Sequence, residues 1–232
     1  MRKNLVLIDF IEIVSSNSDI KNIINNDKNN DYIFITEYDI NFVRKYISDL
    51  KILGIFTEFG SSYYSYSEEK NDYILEYSRK IEVKINYALD ILIKRVYFYL
   101  SGIPQVLPYN IIYGTKYFYF ISFIGSSSEN SPFLLKSRSI RKYKNDVMDR
   151  LDRIIKSYDL SIILLDITDI GFFILPEKCN KVYVVDKLPS GYYEIFFTGK
   201  RNIINKDIMS HKRIHDIEIN NEDELKYFLE TL

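Results

Sequence analysis

The sequence predicts an α/β fold, with a Rossmann-like parallel-sheet core supplied by both ends of the chain and an α+β domain inserted between them. Three observations predict it. Leu5-Val-Leu-Ile8 and Tyr32-Ile-Phe-Ile35 are unbroken apolar runs, the pattern of strands buried on both faces, and they are separated by a polar stretch with helical spacing. After about residue 60 the pattern changes to short, tyrosine-rich alternating segments typical of antiparallel strands. After Pro176 the buried-strand pattern returns at Val182–Val185 and Glu194–Phe197. These shifts place the core at residues 1–80 and 178–232 and the inserted domain at 81–177.

Each element has its own local reason. The first strand covers 4–8; Ile20, Ile23 and Ile24 then mark a helical face within the asparagine-rich stretch before 31. Asp39 is a suitable N-cap for a helix whose apolar face is Phe42, Val43, Tyr46, Ile47 and Leu50, with Gly54 ending it and Ile55-Phe56 opening a short strand. Tyr63–Tyr66 and Tyr73–Tyr77 read as a hairpin with an exposed tyrosine tip. A helix is expected over Ile85–Ser101, broken by Gly102 and Pro104, then strands over Tyr109–Tyr113 and Lys116–Ile124 and a loop from Gly125 to Pro132. A helix from about Lys144 to Tyr158, strands at Ser161–Leu165 and Phe172–Leu175, and a last helix over Glu222–Leu232 complete the order.

Composition narrows the function classes. At 232 residues, 47% hydrophobic and 27% charged, the chain can bury one substantial core or two modest ones. The net charge of −1 excludes a polycation as a whole. One cysteine, Cys179, excludes an intramolecular disulfide, fits a reducing compartment and has no activating base near it in sequence. With no secretory leader and no apolar run of membrane-spanning length, a soluble, cytoplasmic protein is expected.

The chemistry-bearing residues lie mostly at the ends of the predicted core strands. Leu5-Val-Leu-Ile-Asp9-Phe-Ile-Glu12 is an apolar strand ending in a carboxylate. Ile121-Ser-Phe-Ile-Gly125, Gly171-Phe-Phe-Ile-Leu-Pro176, Asn180-Lys181-Val-Tyr, Tyr193-Glu-Ile-Phe-Phe197 and Gly199-Lys200 follow in that order. Together these stretches resemble eukaryotic phosphomannomutase, a member of the haloacid dehalogenase superfamily, across nearly the whole chain. The resemblance implies a haloacid-dehalogenase-type core, an inserted cap, and phosphoryl transfer through an aspartyl-phosphate with Mg²⁺.

Carried over residue by residue, that machinery is mostly missing. The nucleophile position matches Asp9. Its acid–base partner is Ile11, which carries no proton, and the glycine and threonine that follow are Glu12 and Ile13. The phosphate-binding turn corresponds to Thr36-Glu-Tyr-Asp39, where Glu37 places a carboxylate beside an incoming phosphate. Lys181 matches the motif lysine. The metal-binding segment is Phe196-Phe-Thr-Gly199-Lys200, with glycine in place of its aspartate, and the loop after it, Ile203-Ile-Asn-Lys206-Asp207, keeps only Asp207. In the cap, the sugar-phosphate arginines fall at Ser126, near Gly114 or Thr115, and at Leu134, while the sugar-binding pair falls at Gly171 and Phe173.

The expected reading is therefore a catalytically inactive relative with Asp9, Lys181 and Asp207 as remnant positions, no bound metal, no cofactor and no sugar-phosphate substrate. His211 and His215, at i, i+4 spacing without a third ligand, read as part of a polar surface helix. Charge is unevenly spread. Residues 136–156 hold eight cations against three carboxylates, among them Lys136, Arg138, Arg141, Lys142 and Lys144, with Tyr143 interleaved. Residues 200–215 hold Lys200, Arg201, Lys206, Lys212 and Arg213 against Asp207 alone, and the tail from 216 is net −5. Two basic segments on an acidic chain are the footprint of phosphate-backbone binding, or equally a solvated helix face with pairs such as Asp149–Arg153 and Asp152–Lys156. With Tyr63, Tyr64 and Tyr66 as contact aromatics, the expectation is a binding or regulatory protein on an RNA-containing assembly such as the ribosome, of the translation-silencing or hibernation type. Two alternatives stand beside it: residual Mg²⁺-dependent mutase or phosphatase activity through Asp9, and a protein–protein module, including the cap-mediated homodimer that the resemblance implies.

Overall fold

The computed structural model describes residues 2–9, 18–47, 49–50, 52–101, 111–123, 137–168 and 171–232. The chain divides into two compact units, one made of residues 1–79 and 179–232 and the other of 80–178.

The first unit is built on a seven-stranded sheet. Its strands are β1 (Asn4–Asp9), β2 (Asn30–Ile35), β3 (Gly54–Thr57), β4 (Ser62–Ser67), β5 (Asp72–Ser78), β10 (Ile195–Gly199) and β11 (His215–Glu218), in the order β11-β10-β1-β2-β3-β4-β5. The first five positions of that order pair in parallel, and the β4–β5 hairpin closes the edge in antiparallel register. The period-2 alternation explains the unbroken apolar runs. Val6, Ile8, Tyr32 and Phe34 pack to one face with α1 (Ser18–Asn26), α2 (Ile40–Ile47) and α6 (Glu222–Thr231). Leu5, Leu7, Ile33 and Ile35 pack to the other face with Val184, Val185, Ile208 and Met209.

Capping side chains end or start several elements as their chemistry dictates. Asp39 Oδ1 accepts from the backbone N–H groups of Asn41 and Phe42, and Asn221 Oδ1 accepts from Glu224 N at the start of α6. Gly54 opens β3 instead of ending α2, which stops at Ile47. The ring of Tyr63 lies on Gly54 so closely that a Cβ there would collide with Tyr63 Oη.

The turn from β3 to β4 holds Glu58, Phe59 and Gly60 at φ 52°, 58° and 80°, three consecutive left-handed residues. Gly60 also faces Val184, whose Cγ2 would lie 2.5 Å from an added Cβ. Gly60→Ala is therefore expected to cost about 2–3 kcal/mol, from left-handed strain plus overpacking, measured by urea unfolding. A loss under about 0.5 kcal/mol would mean that the turn relaxes freely.

The second unit carries a four-stranded antiparallel sheet, β6 (Ile111–Gly114), β7 (Tyr119–Ser122), β8 (Ile162–Thr168) and β9 (Gly171–Pro176), in the order β6-β7-β9-β8. Helices α3 (Val83–Ser101) and α4 (Ser137–Ser157) share its core: Leu89, Leu92, Ile93 and Val96 meet Val147, Leu151, Ile155, Ile121, Phe172 and Ile174. Phe173 points to the opposite face and meets Phe118 and Phe120. Among the described residues no helix is long and apolar enough to cross a membrane.

Three local expectations change in three dimensions. The β-branched run at 182–185 forms a 3-10 helix, Lys181–Lys187, because Asn180 caps it by accepting from Val182 N, while β10 occupies the free side of β1. The tyrosines at 63–66 lie in β4 and not at the hairpin tip, which is the turn at 68–71. Tyr63 packs at a tilt against Phe56 and Tyr66 meets Tyr73 edge-on, and both tyrosines are half-buried. His211 and His215 share no helix: α5 (Lys206–Met209) ends before them, and His215 begins β11, where its ring meets Phe196.

Candidate functional site

The parallel register brings three strand ends side by side. Asp9 ends β1 opposite Ile35 of β2, and Ile8 pairs with Thr198 of β10. Because β1 lies between β2 and β10, this is the point where the chain's crossovers diverge, the usual ligand position of an open α/β sheet. Thr36 and Glu37 leave β2 here, and Gly199 ends β10. The 3-10 helix contributes Lys181. The loop after β10 contributes Asn205, held by Asn202 Oδ1, which accepts from its backbone N–H, and by its own Nδ2 donating to the Lys200 carbonyl.

These side chains form a closed knot. Lys181 Nζ donates to Asp9 Oδ2 and to Asn205 Oδ1, both at 3.1 Å, and lies 3.5 Å from Glu37 Oε2. Asn205 Nδ2 donates to Asp9 Oδ2 at 2.7 Å. All four residues are buried, Lys181 at 1% exposure and Asn205 at 0%. Asp9 Oδ1 and Glu37 Oε2 have no hydrogen-bond partner among the described residues.

The electrostatics follow from that geometry. Burial alone would favour the neutral amine of Lys181, but the Asp9 and Glu37 carboxylates outweigh it and hold its pKa above the ordinary lysine value. Burial pushes the Glu37 carboxyl up, Lys181 opposes that, and the neighbouring Asp9 charge adds to it. Glu37 therefore gives up its proton at a higher pH in the folded state than in the unfolded chain, where it does so near pH 4.5. Stability is then lost as pH rises above that unfolded value. Glu37→Gln removes this cost, so its melting temperature relative to wild type is expected to rise between pH 5 and pH 8. A pH-independent difference would refute the upward shift of the Glu37 carboxyl.

The remaining predicted residues are spread over both units. Asp207 is exposed and accepts from Asn180 Nδ2 at 2.7 Å, so it braces α5 against the 3-10 cap and leaves Asp9 to Asn205. Lys144 is buried and ion-paired with Asp166 of β8, which removes it from any external contact. Arg201 bridges Asp216 and Glu218 on the edge strand β11. Arg141 and Lys142 are exposed on α4 and Tyr143 packs into the core of its unit, while Lys200, Lys212 and Arg213 are exposed in the first unit. Tyr64 packs against the first core. Lys136, the loop 125–132, and Ile11, Glu12 and Ile13 fall outside the described residues; Arg138 belongs to α4, its side chain outside them as well. Cys179 is buried, and desolvation pushes its thiol pKa up, the state of an inert cysteine.

Asn205 is the functional-site residue that sequence reasoning missed. Its signal is faint: an asparagine in the loop Ile203–Asp207, with Ile208 and Met209 of the following helix buried. The Mg²⁺ implied by the resemblance does not fit the residues present. Mg²⁺ takes near-octahedral oxygen ligands at about 2.0–2.1 Å. Here Asp9 Oδ2 already accepts two hydrogen bonds, and Gly199 replaces the metal-binding carboxylate. A Cβ at 199 would lie 2.9 Å from Asp9 Cβ, 3.1 Å from Phe197 Cε1 and 3.2 Å from Asn205 Nδ2. Among the described residues no group of three His, Cys, Asp or Glu side chains is arranged to hold a metal.

No protein-family model matches the sequence, and no curated protein matches it. Solved structures do match. The C-terminal domain of a Candida albicans trehalose synthase regulatory protein superposes with a TM-score of 0.65 at 9% identity, over 99% of this chain and 94% of that one. C-terminally truncated Plasmodium falciparum IMP-nucleotidase gives 0.67 at 10% identity, over 99% and 71%. The C-terminal domain of C. albicans trehalose-6-phosphate phosphatase gives 0.61 at 12% identity, over 90% and 73%. With the strand order, the inserted unit and Asp9 at the end of β1, these likenesses establish that the chain has a haloacid-dehalogenase-type fold.

Proposed function

We propose that this chain is a non-catalytic binding protein on a haloacid-dehalogenase-type scaffold, and that its partner is a phosphate-rich RNA assembly such as the ribosome. The observation behind the first half is the buried Asp9–Lys181–Asn205 knot packed against Gly199. A phosphoryl acceptor needs an oxygen free for attack, a proton-transferring neighbour and a cation to neutralise the transferred group. In this chain Asp9 is buried, with both of its donors on Oδ2 and Oδ1 left without one, while its acid–base position is Ile11 and the metal carboxylate is absent, so two of the three requirements are unmet.

The second half is supported by cations left at the surface. Arg141, Lys142 and Arg153 on α4, and Lys200, Lys206, Lys212 and Arg213 on the first unit, are exposed. Such side chains grip phosphate backbones with an affinity that falls steeply with salt. The test is sedimentation of native extract on sucrose gradients, at low and high salt and after RNase. Migration with ribosomal particles at low salt, lost at high salt and weakened by Arg141→Glu with Lys142→Glu, is the expected result. Sedimentation only at the top under all conditions defeats the RNA reading. It would turn attention to a protein partner, for which α3 exposes Tyr87, Tyr97 and Phe98.

A second reading, hydrolysis through Asp9, is favoured by the phosphatases among the structural neighbours. It requires Mg²⁺-dependent turnover of a phosphate monoester such as trehalose 6-phosphate or IMP, abolished by Asp9→Asn. Such turnover would defeat the non-catalytic proposal.

A further inference from the structure

Helices α3 and α4 of the second unit run in opposite directions. Arg150 of α4 sits over the ring of Tyr99 near the end of α3, whereas Lys84 and Ala88 near its start line a small cavity with Tyr158 and Leu160, just beyond α4. The C-terminal half of α3 and the N-terminal half of α4 therefore share one end of the helix pair. Charge is segregated along that pair. Residues 91–101 and 137–145 contain no Asp or Glu, while Glu82 and Asp90 lie toward the other end of α3 and Asp146, Asp149 and Asp152 along the rest of α4.

The carboxylate-free end combines cations with open aromatic faces. Lys94, Arg95, Arg141 and Lys142 are exposed there. Tyr97 and Phe98 are 56% and 66% exposed, although α3 already fills its core with Leu92, Ile93, Val96 and Leu100. Adjacent large rings left in solvent and rimmed by charge mark an interaction surface. The frame under them is fixed: Phe98 meets Tyr99 edge-on, and Ser101 Oγ donates to the Phe98 carbonyl at 2.7 Å. Arg150 over Tyr99 places a further cation against an aromatic face.

This chemistry selects its occupant. Cations without neighbouring carboxylates favour an anion, and exposed rings favour flat apolar faces. An unpaired nucleic-acid strand carries both within one nucleotide, since its bases stack on aromatic side chains while its phosphates meet Lys and Arg. A duplex keeps its base faces inside the stack and offers phosphates and 2′-hydroxyls instead.

We propose that this end of the helix pair is a platform for unpaired RNA, on which Tyr97 and Phe98 stack bases while Lys94, Arg95, Arg141 and Lys142 meet the flanking phosphates. The proposal rests on the RNA reading of the function and adds the feature of the RNA that is bound, an exposed single strand.

The experiment is fluorescence anisotropy of the full chain titrated onto a labelled RNA of about 12 nucleotides, single-stranded or annealed to its complement, at low and high salt. The variants are Tyr97→Ala, Phe98→Ala, Phe98→Trp, and Lys94→Glu with Arg95→Glu, all at exposed side chains. Wild type is expected to prefer the single strand. Phe98→Ala weakens that binding by about 5- to 150-fold, the range for one stacked base, without changing its salt dependence, and Phe98→Trp restores it. Lys94→Glu with Arg95→Glu flattens the salt dependence. Equal affinity for single strand and duplex overturns the proposal, as does wild-type binding by both alanine variants. A partner retained after RNase and lost in Phe98→Ala also overturns it, because the rings would then be a protein contact. The same variants on sucrose gradients separate the two levels. Ribosomal co-migration unaffected by Tyr97→Ala with Phe98→Ala defeats only the stacking platform, whereas no co-migration and no binding to either RNA defeats the RNA reading itself.

Discussion

Lys181→Met is expected to cost about 3–5 kcal/mol of folding stability, the range for removing one partner of a buried ion pair. The loss is large because one side chain serves three others. Without it Asp9 keeps only Asn205 Nδ2, Asn205 Oδ1 loses its donor, and Glu37 loses its only cation among the described residues. A methionine restores the volume but none of the charge, so the effect is electrostatic and not a cavity. The variant has a built-in check. Buried carboxylates deprived of a counter-charge take up protons, so the deficit should shrink from pH 8 to pH 5. Chemical denaturation at the two pH values measures it. A loss under about 1 kcal/mol at pH 8 would mean that solvent reaches Asp9 and that the knot is not closed.

Gly199→Asp restores, on paper, the metal-binding carboxylate of the resemblance. The geometry predicts the opposite of a repair. Its Cβ would meet Asp9 Cβ at 2.9 Å, and the new carboxylate would be a third one in a site holding Asp9 and Glu37 around one ammonium. Overpacking of this kind costs about 1–3 kcal/mol, and the unpaired charge adds to it. The expected variant is destabilised and shows no Mg²⁺-dependent phosphate-monoester hydrolysis. A stable Gly199→Asp with measurable turnover would place the wild type one substitution from an enzyme and would count heavily against the binding-protein proposal.

Lys181 and Asp207 illustrate how differently two remnant positions can fare. Both stand at motif positions in the sequence, and both carry a charge that suits the motif. Lys181 reaches Asp9 across 172 residues because the 3-10 helix packs its Val184 and Val185 against the sheet and turns position 181 inward. Asp207 starts a surface helix whose Ile208 and Met209 are the buried side, so its carboxylate faces out, to Asn180. The same limit applies to the basic segments. Lys144 and Arg150 read as two of eight equivalent cations, yet one is buried on Asp166 and the other lies over the ring of Tyr99.

What the amino-acid sequence determined by itself was local. Unbroken apolar runs made β1 and β2, the spacing of Val43 and Ile47 after the Asp39 cap made α2, and the shift from buried to alternating patterns marked the inserted unit. Those features arise from periods of two and 3.6 residues and from capping within one turn, all contained in a short window. The tertiary structure alone decided that Asn205 joins Asp9 over 196 residues, that 182–185 coils because β10 already pairs with that side of β1, and that His215 sits in a strand. Each depends on which surface another part of the chain presents. A buried charge is stable only beside its partner, and only the folded chain brings the two together.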